Sequence, residues 1–399
     1  MTRPFLHVIG LRPLLEAWSR REGIPVQAIQ PEKHRQVAHI DLFGEYAEEL
    51  LVRLRRREEV ARAFAYFSRA ESPLYAELSA EVAGDEELLD LAALARPGQP
   101  APNLLFAAVH YLLLKGAEHP LARFYPSVSG PRAAPREPAF PAFKDFCRAN
   151  ATLLRQLLTT RLVQTNEPAR CAVLLPALAL LARRSGRPPS LVEIGSSAGL
   201  NLLLDRYAYD YSGLLLGESR LCFACELRGE LRPPLRIPAL AGRLGIDLNP
   251  VDVGNPDQVL WLRSLVWPDQ PERAAQLLSA IALARQDPPR LLRGDAVSEV
   301  RRAAELAGDG ELCVVSSFLL LQLGEDGQTR LLEELAGTSR VRPLHLVRFE
   351  WEPGQPSARL ALTEFAKGGI SGERRLANAH EHGRWLEWLD AESSENGRL

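Results

Sequence analysis

A glutamate, two glycines and an asparagine stand close enough to hold a ligand in Glu193-Ile194-Gly195-Ser196-Ser197-Ala198-Gly199-Leu200-Asn201. The short apolar stretch Ser190–Ile194 runs into this loop, and a helix-forming stretch from Leu200 to about Tyr207 leaves it. A strand that turns through glycines into a helix gathers backbone N–H groups at one point, which suits an anion. Glycine also lets a ligand approach the backbone closely. A dinucleotide site calls for G-x-G-x-x-G, and Ser197 stands where the second glycine would be. Glu193 adds a negative charge just before the first glycine, where it would repel a pyrophosphate. It suits a ligand carrying an ammonium and a sulfonium, whose own carboxylate would take the helix N-terminus.

Two further acids fit that ligand. Glu226 closes a second strand, Arg220–Glu226, where an acid can take the ribose hydroxyls. Asp295 and Ala296 follow a third strand, Arg290–Arg293, where they can receive the adenine amino group. Ser316 ends a fourth strand, Glu311–Ser316. The expected cofactor is S-adenosylmethionine, held by Glu193, Gly195, Ser196, Ser197, Gly199, Asn201, Glu226, Asp295, Ala296 and Ser316. The pattern E-x-G-x-x-x-G-x-N resembles the first motif of methyltransferases. That likeness implies methyl transfer to a small-molecule acceptor.

Other clusters are weaker. Gln164-Thr165-Asn166-Glu167 is a polar group between apolar helices. With Tyr207 it is a candidate lid over cofactor or substrate, although Asn166 also suits a helix N-cap. Candidate proton acceptors are His110, Glu167 and Asp295, since an imidazole or a carboxylate can serve as general base. His380 and His382 share a strand face, but no third metal ligand is evident and no metal is expected. Cys222-Phe223-Ala224-Cys225 lies in an expected strand, where residues three apart face opposite ways. The five cysteines show no disulfide spacing.

The elements that must position these groups fall into three parts. Residues 1–40 show little periodicity and are expected as an extension. Residues 41–186 carry apolar positions at spacings of three and four, with no convincing strand, and are expected as an all-helical domain. Pro126–Pro141 is expected as an exposed loop within it. The run Arg183-Arg184-Ser185-Gly186-Arg187-Pro188-Pro189 breaks the helical pattern. After it, over 187–399, short strands alternate with helices, and a fifth strand covers Arg342–Trp351. The stretches Ala358–Phe365 and Arg375–His380 form a closing hairpin. The expected class is α/β: a Rossmann-like methyltransferase sheet, mostly parallel with an antiparallel closing hairpin.

A net charge of −2 points to no polyanionic partner. The fourth strand ends Ser316-Ser317-Phe318, without the Asn/Asp-Pro-Pro-aromatic sequence of methyltransferases acting on nucleic-acid bases. Nucleic acid is therefore not expected as substrate. The longest apolar run, Ala172–Ala182, is too short to span a bilayer, and no signal peptide is evident. A cytoplasmic protein is expected; its oligomeric state is open.

The stretches Arg96–Pro100, Asn103–Leu114, Val163–Glu167, Val192–Tyr211, Gly245–Asp247, Leu265–Arg273, Arg293–Ala296 and His382–Trp385 resemble a bacterial family catalogued as a domain of unknown function, family 2332. The resemblance covers roughly Ala70 to Leu389. It implies a methyltransferase-like second half and a histidine where this chain has Ser316, so no general base carries over to that position. The leading expectation is methyl transfer in a cleft between the two domains. A non-catalytic protein that binds S-adenosylmethionine or S-adenosylhomocysteine is the alternative. A nicotinamide-dependent oxidoreductase ranks below both.

Overall fold

The structure, a computed structural model, describes residues 40–67, 71–130, 137–352 and 354–391, with side chains from residue 52 onward. The expected extension falls almost wholly outside the described residues, as does the centre of the loop at Pro126–Pro141. The chain forms two compact units, residues 1–109 with 135–162, and residues 110–134 with 163–399.

The described elements of the first unit are helices. They are α1 (Ile40–Phe67), α2 (Pro73–Val82), α3 (Glu86–Ala92) and the first part of α4 (Ala101–Leu114). After α5 (Pro126–Ser129), which belongs to the second unit, come α6 (Phe140–Ala149) and α7 (Ala151–Thr160). Ser72 caps α2 by accepting from the Tyr75 N–H at 3.1 Å, and Asp85 caps α3 from the Leu88 N–H at 3.1 Å. Each cap satisfies an amide that the helix cannot. The core gathers on Phe106, stacked on Tyr75 at 4.4 Å and edge-on to Phe64 and Phe143 at 5.6 and 5.7 Å.

The second unit opens its sheet after α8 (Cys171–Ser185). In chain order follow β1 (Pro189–Ile194), β2 (Ala208–Tyr211), β3 (Leu214–Leu216), β4 (Cys222–Ala224), β5 (Glu226–Arg228), β6 (Gly242–Asp247), α9 (Pro256–Ser264) and α10 (Pro271–Gln286). Then come β7 (Leu291–Arg293), α11 (Ala296–Leu306), β8 (Glu311–Ser317), α12 (Leu320–Thr338), β9 (Leu344–Glu350), β10 (Ala358–Ala366), β11 (Gly369–Ala379) and β12 (Trp385–Trp388). Nine strands form one sheet in the order β5-β12-β11-β10-β9-β8-β1-β6-β7. From β7 to β9 all neighbours are parallel; β9 to β12 form an antiparallel meander, and β5 pairs parallel with β12. After the small sheet and β5, the chain adds β6 and β7 on one side of β1, then returns to β8 and β9 on the other side. That reversal puts a topological switch point at the C-terminal end of β1, the place where ligands bind in open α/β sheets.

Alternation along the strands serves two helical layers. Val192 and Ile194 join Leu244, Ile246, Leu312, Val314, Val300 of α11 and Leu331 of α12 in one core. The other face packs on α8, in which every residue from Cys171 to Leu181 is buried. This helix was expected to close the helical domain. Being apolar all round, it needs cover on every side, and the sheet supplies it. The division of the chain therefore differs from a single boundary near residue 186. None of the helices among the described residues is long and apolar enough to cross a membrane.

The second strand is a correction. The segment Arg220–Glu226 does not lie beside β1. It divides into β4, part of a three-stranded sheet in the order β3-β2-β4, and β5 at the far edge of the large sheet. On the side of β1 away from β8 the neighbour is β6, whose glycines hide its strand character. Gly245 pairs with Glu193, and a Cβ there would lie 2.6 Å from Leu291 Cδ2 and 2.8 Å from Ser196 Cβ. Only a bare backbone leaves room for the loop to turn over it. Gly245→Ala is expected to cost about 1–3 kcal/mol, the usual range for overpacking. Urea unfolding measures this, and an unchanged midpoint would contradict the β1–β6 packing.

Candidate functional site

The glycine loop follows β1. Gly195 and Gly199 both take the left-handed conformation, with φ of 71°, which glycine adopts without penalty. A side chain on Gly195 would press on Leu319 at 3.1 Å, so the loop borders the turn after β8. The expected helix is a seven-residue 3₁₀ segment, Leu200–Arg206, kinked at Leu203.

The loop's amides are turned inward. Those of Gly195 and Ser196 donate to the Ile246 carbonyl at 2.8 and 3.1 Å, and that of Gly199 to the Ser196 carbonyl at 2.7 Å. The Ser197 N–H donates to Asp247 Oδ2 at 2.8 Å, and the Leu200 N–H to Asn166 Oδ1 at 3.1 Å. These five amides, which were expected to meet a ligand's carboxylate, are used within the fold. Asn166 caps the segment after the glycine loop, rather than the turn at Pro168–Arg170, which Glu167 caps.

Carboxylates define the site instead. Glu193 is buried, with Oε1 accepting from Asn201 Nδ2 at 2.7 Å and Oε2 without a hydrogen-bond partner. Burial pushes its pKa up to about 8, against the opposing pull of Asn201. Asp247, at the end of β6, takes the place expected for Glu226. Its Oδ1 accepts from Gln164 Nε2 and the Asn249 N–H, both at 2.8 Å. Gln164 is tied in twice more, through its amide to the Asn249 carbonyl and its own carbonyl to Ser197 Oγ, both at 3.1 Å. The Asp247 carbonyl accepts from Gly294 N–H at 2.9 Å, which brings Asp295 to the next strand end. Asp295 is exposed and caps α11, with Oδ1 accepting from Val297 and Ser298; Ala296 begins that helix. Glu193, Asp247 and Asp295 thus follow one another across the ends of β1, β6 and β7.

Glu226 does not join them. It is exposed at the outer edge and pairs with Arg228 at 2.8 Å. Tyr207 is buried and its hydroxyl donates to the Leu200 carbonyl at 2.8 Å, so it braces the segment after the loop. Thr165 lies partly exposed beside Gln164. The exposed Cys222 and buried Cys225 are free thiols.

Of the proposed bases, His110 is fully engaged. One ring nitrogen lies 3.0 Å from the Ser264 carbonyl and the other 2.7 Å from Ser127 Oγ. Burial draws its pKa down to about 4. Glu167 is held by Arg273 through Nε at 2.7 Å and Nη2 at 2.6 Å. Asp295 is committed to its cap.

A second group borders the loop at the ends of β8 and β9. Ser316 Oγ donates to Glu350 Oε1 at 2.7 Å, and the amides of Leu319 and Leu320 reach the same oxygen at 3.0 and 3.1 Å. Glu350 is buried, which raises its pKa, and Oε2 has no hydrogen-bond partner. Arg170 lies over the Phe318 ring at 4.3 Å. Asp247, Glu350 and Arg170 were missed from the sequence. The first two end strands; the strand-end rule reaches Glu350 near the end of the fifth expected strand but not Asp247, because β6 was not expected as a strand.

No curated protein and no solved structure matches the chain. A family model described as "Uncharacterized protein conserved in bacteria (DUF2332)" matches residues 58–388, and the chain belongs to that family.

Proposed function

We propose that the second unit is a Rossmann-like domain that binds S-adenosylmethionine, and that the protein transfers its methyl group to a small-molecule acceptor. The observation that carries this reading is the succession of Glu193, Asp247 and Asp295 across three adjacent strand ends at the switch point. Asp247 is suited to the ribose hydroxyls, Asp295 to the adenine amino group, and Glu193, on releasing its proton as the cation binds, to the sulfonium. Loop amides already bonded internally, beside buried acids, offer little to a pyrophosphate. This disfavours a nicotinamide dinucleotide. The sulfonium is an activated methyl donor, so the protein need only align an acceptor with it and exclude water.

Calorimetry with S-adenosylmethionine and S-adenosylhomocysteine tests the reading. Saturable one-to-one binding of both is expected; no heat from either at millimolar ligand sinks it. The commitment of His110, Glu167 and Asp295 to internal bonds favours a second reading, binding without turnover. A broad acceptor screen with labelled methyl donor decides between them, and any acceptor-dependent methyl loss rejects the second.

A further inference from the structure

The second unit holds two charges of opposite sign that are fixed in place yet not paired with each other. Arg170 donates through Nη1 to Ser317 Oγ at 3.3 Å and through Nε to the Glu381 carbonyl at 3.1 Å. Its flat face rests on Phe318. All three partners are neutral; the carboxylates of Glu167, Glu350 and Glu381 act on it through space, and none among the described residues is close enough for an ion pair. The nearby Arg273, by contrast, is matched to Glu167. Glu350 is oriented by three donors on Oε1, while Oε2 is buried and without a partner. A carboxylate so placed keeps costly unused acceptor capacity.

The two charges share one turn, since Ser316 holds Glu350 and the next residue, Ser317, holds Arg170. Phe318 then enters the left-handed region at φ 59°, which is unusual for a bulky residue. Its ring lies edge-on to Phe349 at 5.0 Å and under the guanidinium. Leu319 packs where Gly195 lacks a side chain, so this turn adjoins the glycine loop.

We propose that Arg170 and Glu350 receive the two ends of an α-amino-acid zwitterion, Arg170 the carboxylate and Glu350 the ammonium. A guanidinium fork can bind a carboxylate through two parallel hydrogen bonds, and an ammonium supplies the donor that Oε2 lacks. The zwitterion has two possible sources, the methionine tail of S-adenosylmethionine or a free amino acid as acceptor. The first rests on the function proposed above; the second does not.

The test is calorimetry on the full chain and its Arg170→Gln and Glu350→Gln variants. The probes are S-adenosylhomocysteine, 5′-methylthioadenosine, which lacks the amino-acid group, and a panel of free L-amino acids. If the tail is the ligand, S-adenosylhomocysteine binds the wild type about tenfold or more tighter than methylthioadenosine, and both variants erase that margin. If an acceptor is the ligand, a free amino acid binds the wild type and weakens about tenfold or more in both variants. Silence from both adenosine ligands, with an amino acid bound, refutes the cofactor reading and leaves this one standing. Variants that retain wild-type affinity for every zwitterion, or no zwitterion bound at millimolar concentration, overturn it. Thermal unfolding checks that each variant folds. Ser317→Ala releases Arg170 from its anchor while keeping the charge, and a partial loss of the same affinity is expected there if Arg170→Gln does not fold.

Discussion

Asp247→Ala is expected to weaken S-adenosylhomocysteine binding by about 100-fold or more, whereas Glu226→Ala leaves it at the wild-type value. The magnitude follows from charge-assisted hydrogen bonds, each worth about 1.5–3 kcal/mol. Asp247 joins three segments: the Ser197 amide in the glycine loop, Gln164 from the segment before α8, and the Asn249 amide after β6. Its loss removes the proposed ribose acceptor and also frees the loop. Asp247→Asn separates the two effects. It keeps an oxygen for Gln164 and Asn249, so it should hold more of the thermal stability than alanine while still losing affinity. Glu226 serves as the contrast because both acids satisfy a simple sequence rule for ribose binding. Only Asp247 stands beside β1; Glu226 lies at the opposite edge, exposed and paired with Arg228. Wild-type affinity in Asp247→Ala, or a loss in Glu226→Ala, would remove Asp247 from the site.

What the sequence made legible was local. The strand at Ser190–Ile194, the loop glycines and the later parallel strands carry their signals within a few residues, as apolar runs bounded by turn formers. Pairing between distant strands carries no such signal. Cys222–Glu226 has a stronger strand composition than Gly242–Asp247, yet β6 lies beside β1 because its glycines let the loop cross it. Composition favours a residue for its propensity, whereas the loop selected Gly245 for its lack of a side chain. The meander after β9 was half legible, since β12 is only four residues long and β5 joins it from far earlier in the chain. The site divides in the same way. Glu193 and Asn201, both expected in the site, lie eight residues apart and meet within the loop. Asn166 looked like a local N-cap, and it caps a helix more than thirty residues away. That pairing depends on how α8 returns the chain to the sheet, and no short-range pattern encodes it.

Glu193 and His110 are expected to shape the pH dependence of stability with opposite signs. Glu193 has an ordinary value of 4.5 and rises to about 8 in the folded protein, chiefly through burial. Between those values the native state keeps a proton that the unfolded chain has lost, so stability falls as pH rises. Its stabilising contribution is complete below 4.5 and is gone above about 8. Across that window the loss is about 5 kcal/mol at 1.36 kcal/mol per unit. His110 runs the other way. Its value falls from 6.5 to about 4, again chiefly through burial, so the unfolded chain takes up a proton first as pH falls. Its contribution is complete above 6.5 and is lost toward pH 4, a change of about 3 kcal/mol. Glu193→Gln keeps the neutral shape and removes the carboxylate's titration. It should gain stability over the wild type progressively as pH rises from 5 to 9, by about 3–5 kcal/mol at the top of the range. His110→Gln should lose stability at neutral pH, where the buried bonds to Ser264 and Ser127 are broken or strained, by about 1–3 kcal/mol. Its deficit should shrink as the wild type weakens below pH 6.5. Urea unfolding of the three proteins across the pH range measures both limbs. A Glu193→Gln advantage that is flat with pH would show that Glu193 is ionised in the native state throughout, and would remove the alkaline limb.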